Sequence, residues 1–241
     1  LLTFFLVLTC TVNVYAGPRS GYSDPIAEYQ STLGPKIESY SRYWNTKEKL
    51  MQVYKELTKN YVSTEISKLK YIYLYPDIEE GVSGYYNPDV IVKNDGTYAM
   101  GDNSYIVILG CDESSTLSTI SQTLAHEYGH HFTTYYIVTY EHLYGKGWIN
   151  SKYAKIRGLN KMSAVVNYSS TNSNSKWDIS EIAAWDYVQL FGSQSSKNSI
   201  DYKDVQERAD YGYTSTTSIG FNAYPQENLE LPLAAHVQGL Y

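Results

Sequence analysis

Cysteine is scarce in this chain. Cys10 and Cys111 are the two cysteines among 241 residues, and Cys10 lies in an apolar N-terminal segment that we expect to be removed. Cys111 would then have no partner, which excludes an intramolecular disulfide. We therefore expect the fold to be stabilised by its core or by a bound metal ion.

An excess of positive charge is also missing. The chain has 19 lysines and arginines against 25 aspartates and glutamates, which gives a formal net charge of −6. The basic residues are spread along the sequence and form no stripe, which argues against nucleic acid as a partner. Charged residues make up 18% and hydrophobic residues 43% of the chain, a composition typical of a folded globular protein.

The sequence lacks an apolar run of about 20 residues, the length that crosses a bilayer. The uncharged segment 1–16, LLTFFLVLTCTVNVYA, falls short of that length. It ends in Val14-Tyr15-Ala16, a small-x-small pattern of the kind that signal peptidase accepts. We therefore predict a signal peptide at residues 1–16, no stable membrane span, and a single secreted domain at residues 17–241.

The processing of this segment has one alternative, which is lipoprotein formation at Cys10. Thr9 precedes the cysteine, where a small residue such as Gly or Ala is expected, so we prefer a cleaved signal. An exported protein without disulfides suits a Gram-positive bacterium better than an animal cell. We expect secretion from such a bacterium.

Tyrosine, in contrast, is abundant, with 27 residues in the chain. Because tyrosine combines an apolar ring with a polar hydroxyl, this number suggests half-exposed surfaces or a groove for a polymeric substrate. Compositional bias is the simpler explanation, and the number alone does not decide between the two.

Periodic patterns predict both helix and strand in the first half of the chain. Residues 45–61 have an amphipathic helical pattern that begins with Asn45 and Glu48 at capping-box spacing. Segments rich in β-branched and aromatic residues predict a small, mainly antiparallel sheet, with Asn94-Asp95-Gly96 as a tight turn. These segments are residues 70–76, 89–100 and 104–110.

A long helix is predicted after the last of these strands. Residues 112–138 keep helical spacing, and capping candidates stand at Asp112, Ser114 and Ser115. Because this helix follows the sheet directly, we expect an α+β fold in which the sheet packs on it.

The C-terminal part is expected to be helical as well. Helical patterns occur near residues 149–159 and at 177–192, and Gly192 is a C-cap candidate. The polar residues 167–176 between them predict a loop.

The segment AHEYGHHF, residues 125–132, holds three of the five histidines. His126 and His130 are four residues apart, so on an α-helix they lie about 40° apart with a rise of about 6 Å, and both imidazoles can reach one ion. Zinc accepts neutral imidazole and prefers tetrahedral surroundings. Glu127, beside the first histidine, can accept a proton from water on the metal and pass it to a leaving amine.

The other histidines differ from this pair. His131 points about 100° away from His130, so it cannot share that ligand position, and we expect it to support the site or to lie at the surface. His142 and His236 have no supporting pattern. None of the three is predicted to bind the metal.

A zinc site of this kind needs a third protein ligand and one open position. A metzincin-type site would have Gly three residues and His six residues after His130. Thr133 and Tyr136 stand at those positions, which excludes that class. The third ligand is therefore sought among the carboxylates downstream.

Glu181 is the candidate third ligand. It begins an apolar stripe of the helix at 177–192, so its carboxylate is expected to face the interior, where a charge needs a cationic partner. No Lys or Arg occurs between Lys176 and Lys197, and a metal held by the two histidines is a natural partner. In the alternative, Glu181 closes the helix N-terminus by pairing with Asp178 at capping-box spacing.

The segments LAHEYGHHF and ISEIAAWDYVQLFGS together resemble the zincin metallopeptidases that use a glutamate as third ligand, in particular the catalytic domain of anthrax toxin lethal factor and its secreted bacterial relatives. The resemblance covers the two motif helices and, more loosely, the strands before them. It implies a zincin-like fold and a Zn²⁺ cofactor. It also implies His126, His130 and Glu181 as zinc ligands and Glu127 as the catalytic base.

The chain departs from this family at one position. Many glutamate zincins have an acidic residue four positions after the third ligand, where it supports a histidine, but Trp185 stands there and Asp186 follows. Asp186 lies about 140° round the helix from Glu181, where it either orients a histidine or is an ordinary helix-face carboxylate. The family uses a Tyr or His to stabilise the oxyanion, and Tyr168 is our candidate.

We therefore expect a secreted zinc metalloendopeptidase that acts on a peptide or protein. The substrate is expected to lie along the strand at 104–110 by β-addition. Two alternatives stay open. One is a non-peptidase zinc hydrolase of amides with the same site, and the other is an exported binding or surface protein whose metal site is structural or inactive.

Overall fold

A mixed five-stranded sheet and a separate two-stranded sheet form the β part of the protein. The computed structural model describes residues 19–163, 165–166 and 177–197. The predicted signal peptide and the predicted loop at 167–176 lie outside these residues. The described strands are β1 (Ala27–Gln30), β2 (Lys36–Ser39), β3 (Leu69–Leu74), β4 (Gly84–Asn87), β5 (Val90–Val92), β6 (Tyr98–Met100) and β7 (Ser104–Ile108).

The helices follow the expected order along the chain. The described α-helices are α1 (Lys47–Lys59), α2 (Leu117–Tyr136), α3 (Lys152–Ile156), α4 (Ile179–Phe191) and α5 (Gln194–Lys197). Short 3-10 helices lie at Thr64–Lys68, Gly145–Asn150 and Leu159–Lys161, and a π-helical turn at Ile137–Glu141 extends α2. None of the described helices has both the length and the apolar composition of a membrane span.

The main sheet has the strand order β1-β2-β3-β7-β4. Strands β2, β3 and β7 run parallel, whereas β1 and β4 run antiparallel to their neighbours. Together with the antiparallel β5–β6 pair, three of the five pairings are antiparallel, which confirms the predicted sheet in part. The β2–β3 pairing is parallel because α1 carries the chain from the end of β2 back to the start of β3, as a parallel crossover requires. Between β3 and β7 the chain returns through β4, β5 and β6.

The two faces of the main sheet differ. Side chains alternate along a strand, so Ile72 and Ile106 pack in the large core with the helices, while Tyr73 and Val107 belong to a smaller tyrosine-rich cluster. The helices therefore lie on one face of the sheet. Part of the tyrosine content is used on the opposite face, where the rings of Tyr40 and Tyr75 stack.

The N-caps of α1 and α2 differ from the predicted ones. Thr46, not Asn45, caps α1 and accepts a hydrogen bond from the backbone N–H of Lys49. Thr116 caps α2 and forms a capping box with Thr119. The three predicted candidates before α2 are wrong because they form a turn of their own, in which the Asp112 side chain accepts from the backbone N–H of Ser114.

The predicted turn at Asn94-Asp95-Gly96 is confirmed. It joins β5 and β6, and Gly96 has a φ of +81°, a conformation that glycine adopts at no steric cost. The Asp95 carboxylate accepts hydrogen bonds from the backbone N–H and the hydroxyl of Thr97. This hairpin forms its own two-stranded sheet and does not extend the main one.

Helix α4 packs closely against α2 at Gly129. A β carbon built on Gly129 would lie 2.7 Å from the carbonyl oxygen and 3.0 Å from the Cα of Ala184. These distances are shorter than a van der Waals contact, so the approach of the two backbones depends on the missing side chain. Asp178 caps α4 by accepting from the N–H of Ser180, and Gly192 is its C-cap, as predicted.

Replacing Gly129 by Ala is expected to force α4 away from α2. The added methyl meets backbone atoms, which cannot rotate away as a side chain can, so we expect a loss of about 1 to 3 kcal/mol in the free energy of unfolding, measured with urea. Gly147→Ala is the control, because its β carbon would meet Leu143 at 3.5 Å, an ordinary contact. Equal effects of the two substitutions would show that the close approach is not a constraint.

Candidate metal centre

Three potential metal donors converge between α2 and α4. The Nε2 atom of His126 lies 3.1 Å from Oε2 of Glu181, and Nε2 of His130 lies 3.3 Å from Oε1 of the same carboxylate. The donor atoms of the three residues all lie within 4.8 Å of one another. This is the spacing at which one ion can touch all three.

The helices explain this convergence. His126 and His130 are one turn apart on α2, so their rings lie on the same face, with centroids 4.8 Å apart. Glu181 is in the first turn of α4, which Asp178 caps through Ser180. Because the carboxylate of Glu181 faces both histidines, the alternative in which it closes the helix end receives no support.

The charges of the three residues are strongly coupled. Burial alone would lower the pKa of His130, but the attraction and hydrogen bond of Glu181 raise it to about 9. Burial alone would raise the pKa of Glu181, but the two histidines hold it well below its usual range. The carboxylate is therefore ionised at neutral pH, and a proton on His130 occupies the position that a metal cation would take.

Glu127 is buried beside the three donors, with only 6% of its surface exposed. Burial raises its pKa, whereas the nearby His126 and His130 and a hydrogen bond from the backbone N–H of Tyr86 lower it. A β carbon on Gly84 would lie 3.3 Å from the Cγ of Glu127. Glu127 therefore lies directly beneath strand β4.

Among the described residues, strand β4 is the free edge of the main sheet on the side of the site. The backbone N–H of Leu109 in the adjoining segment donates to the carbonyl of Ser83. Since hydrogen-bonded and non-hydrogen-bonded pairs alternate in an antiparallel ladder, the backbone groups of Gly84 and Tyr86 face away from β7. The expectation that a substrate lies along 104–110 is wrong, because β7 is paired on both sides, with β3 and with β4.

Comparisons with protein families, curated proteins and solved structures find no match. The resemblance to glutamate zincins therefore stays a prediction. Function has to be inferred from the residues of the centre and their surroundings.

The donor set fits a transition metal. Two imidazole nitrogens and one carboxylate oxygen are ligands that zinc and its neighbours accept, and three protein ligands leave a position open for water or substrate. The Nδ1 atom of His126 is buried and has no hydrogen-bond partner in the part of the chain that the structure describes. Its Nε2 atom is the one that faces Glu181, so a metal at the centre would bind the lone pair of Nε2 and leave the proton on Nδ1.

His131 is fully buried and is not among the three donors. Its Nε2 lies 2.8 Å from the carbonyl oxygen of Glu65 and its Nδ1 lies 3.1 Å from the hydroxyl of Tyr86. Since a carbonyl only accepts, Nε2 carries the proton and Nδ1 accepts from the tyrosine. Burial lowers the pKa of His131 to about 4. The surface alternative is wrong, and His131 connects α2 with β4 as a neutral support.

Asp186 does not orient a histidine. Its Oδ2 accepts from the Tyr153 hydroxyl at 2.6 Å and from Nε of Arg157 at 2.7 Å, and Asp186 and Arg157 form a buried ion pair. Trp185 instead lies against the site, with its ring 4.3 Å from that of His126. Asp186 therefore links α4 to α3, through Tyr153, and to the turn after α3, through Arg157.

The remaining candidates lie away from the centre or cannot be placed. His142 is exposed at the end of the π-helical turn and is not part of the donor group. Tyr168 and His236 lie outside the described residues. Tyr86 was not predicted as a site residue, and the one signal for it in the sequence is its position three residues before the predicted strand at 89–100.

Metal binding is expected to become tighter as the pH rises from 6.5 to about 9, because the metal must displace the proton that His130 holds up to that pH. One displaced proton makes the affinity rise about tenfold per pH unit. Titration calorimetry with zinc in buffers of different ionisation enthalpy counts the released protons. His142→Gln is the control and should release the same number. An affinity that is constant over this range would contradict the assignment of His130.

Loss of a residue that hydrogen-bonds to a metal ligand can cost up to about 100-fold in metal affinity. Replacing Glu181 by Ala is expected to weaken metal binding by more than that. The reason is that one of three donors is removed. Zinc affinity measured by chelator competition checks this. Asp178→Ala, which removes the cap of the same helix, should lower thermal stability with a much smaller effect on affinity. If Glu181→Ala changes only stability while zinc stays bound, the carboxylate is a cap and not a ligand.

Proposed function

We propose that this chain is a zinc-dependent metalloendopeptidase. The observation that carries the proposal is the position of Glu127, a buried carboxylate that lies beside the His126, His130 and Glu181 donors and directly beneath the free edge of β4. A metal site that served only to stabilise the fold would need neither an additional carboxylate nor an open strand edge.

Zinc is the proposed metal because of the donor chemistry. Imidazole nitrogen with a carboxylate oxygen is a common catalytic zinc set, and structural zinc sites ordinarily use four protein ligands, often cysteines. Cys111 is buried in the core and is not part of the donor group. Three donors with a fourth position open match the catalytic class.

Bound zinc would supply Lewis acidity, which polarises a carbonyl and makes water a nucleophile at neutral pH. Glu127 then accepts the proton of the attacking water and transfers it to the leaving amine. Burial raises its pKa, which makes it a better base than an exposed glutamate, while the N–H of Tyr86 orients the carboxylate. His131 holds the Tyr86 side chain and so fixes the strand that carries this N–H.

The proposed substrate is an extended peptide. An extended chain can pair with an exposed strand edge, where main-chain hydrogen bonds give affinity and alternate side chains give specificity. The outward N–H and carbonyl of Gly84 and the outward carbonyl of Tyr86 offer such an edge above Glu127, while the N–H of Tyr86 bonds to Glu127 itself. If residues 1–16 are removed as the sequence predicts, the peptide is an extracellular one.

Glu127→Gln is expected to keep zinc but to lower casein hydrolysis about 10²- to 10⁴-fold, the usual contribution of a general base. The amide has the shape of the carboxylate but cannot accept the proton. Activity is measured with labelled casein, and bound zinc by metal analysis.

Glu80→Gln is the matched control, because Glu80 is an exposed glutamate in the loop before β4. It should retain full activity. A Glu127→Gln enzyme that cleaves casein as fast as the unmodified protein would refute the mechanism. An unmodified protein that binds zinc but cleaves neither peptides nor other amides would favour a binding protein with a structural metal site.

A further inference from the structure

The two ring nitrogens of His126 have different surroundings. Its Nε2 faces Glu181, while its Nδ1 is buried without a hydrogen-bond partner among the described residues. A neutral imidazole that offers Nε2 to a metal carries its proton on Nδ1. That N–H is therefore a buried donor with no acceptor among residues 19–163, 165–166 and 177–197.

Metal-binding histidines almost always donate this second N–H to a carboxylate, a carbonyl or water, which fixes the ring and raises its basicity as a ligand. Glu181 faces the other nitrogen, Nε2, and Trp185, the α4 residue whose ring lies against His126, supplies none of these groups. Trp185 packs its ring against His126 with centroids 4.3 Å apart and planes inclined by 45°. The indole N–H can only donate, so Trp185 cannot accept from Nδ1.

Trp185 reaches His126 because of its position on α4. It follows Glu181 by four residues, and residues at this spacing lie on the same face of a helix. Glu181 and Trp185 therefore approach His126 together, one through its carboxylate and the other through its ring. Trp185 is only partly buried, so a polar residue can replace it without burying a charge in the core.

We propose that Trp185 is a positioning residue that holds His126 by ring contact in place of a hydrogen bond, and that the metal affinity of the centre is lower as a result. The inference rests on the proposed metal centre. A weaker site exchanges its metal more readily, so the fraction of the protein that holds metal would depend on the metal concentration of its surroundings. An acceptor at position 185 would convert the centre into a tighter one.

Zinc affinity of Trp185 variants at one fixed pH, measured by chelator competition, tests the proposal. Trp185→Glu adds a charged acceptor and should tighten binding by about 10- to 100-fold, the effect that such partners have in other sites. Trp185→Gln adds a neutral acceptor and should tighten it less. Trp185→Leu removes the ring without adding an acceptor and should weaken binding, whereas Trp185→Phe, which keeps a ring, should weaken it less than Leu does.

The Nδ1 proton of His126 gives a second readout that a general change in stability would not produce. Nitrogen-15 NMR of the zinc-loaded protein should show this proton shifted downfield and exchanging more slowly in Trp185→Glu than in the unmodified protein. Urea unfolding shows whether each variant folds. If Trp185→Glu does not fold, the zinc affinity and the NMR signal of Trp185→Gln are used in its place.

Two results would overturn the proposal. One is an unchanged zinc affinity in folded Trp185→Glu and Trp185→Gln. The other is an equal loss of affinity in Trp185→Phe and Trp185→Leu, since the ring contact would then have no role. These outcomes differ from failure of the proposed function, which would appear in the unmodified protein as an absence of zinc binding or of peptide hydrolysis.

Discussion

The close approach of α2 and α4 at Gly129 is the contact on which the centre depends. Only glycine permits the backbone of Ala184 to come so near. That approach places the first two turns of α4 over the histidines, so Glu181 and Trp185 both reach His126. The glycine within AHEYGHHF thus allows the site to form, although it carries no chemistry itself.

A second set of contacts fixes the strand above the site. Glu65 is a fully buried carboxylate that accepts hydrogen bonds from the hydroxyls of Tyr128 and Tyr136. Its backbone carbonyl accepts from His131, which in turn binds Tyr86. Buried polar groups of this kind are costly unless satisfied, but when satisfied they impose one arrangement. Here they impose the position of β4 relative to α2, and with it the surroundings of Glu127.

The parts of the fold that the sequence predicted are those encoded by local spacing. The pair His126 and His130 is separated by one helical turn, the apolar stripe after Glu181 indicates which way that residue faces, and the turn at Asn94-Asp95-Gly96 needs only its own residues. These features require no knowledge of distant partners. The N-caps of α1 and α2 were missed by one or more residues because several hydroxyl and carboxylate side chains near each helix start compete for the same role.

The features that were missed depend on contacts between distant segments. Strand β4 has the sequence GYYN, which contains no β-branched residue, and it is a strand because β7 pairs with it. For Asp186 the sequence left open a histidine partner or a position on the helix face, but its cation is Arg157 on the segment after α3. The parallel pairing of β2 with β3 likewise follows from the crossover through α1 and not from the strands themselves.

The length of β4 limits what its edge can bind. Pro88 follows Asn87 directly and has no N–H, so the ladder cannot continue along the chain. Only Gly84 and Tyr86 face outward, and the N–H of Tyr86 is shared with Glu127. So short an edge is a poor template for aggregation with other chains. It also means that backbone pairing alone would hold a peptide weakly, and selectivity has to come from the peptide's side chains.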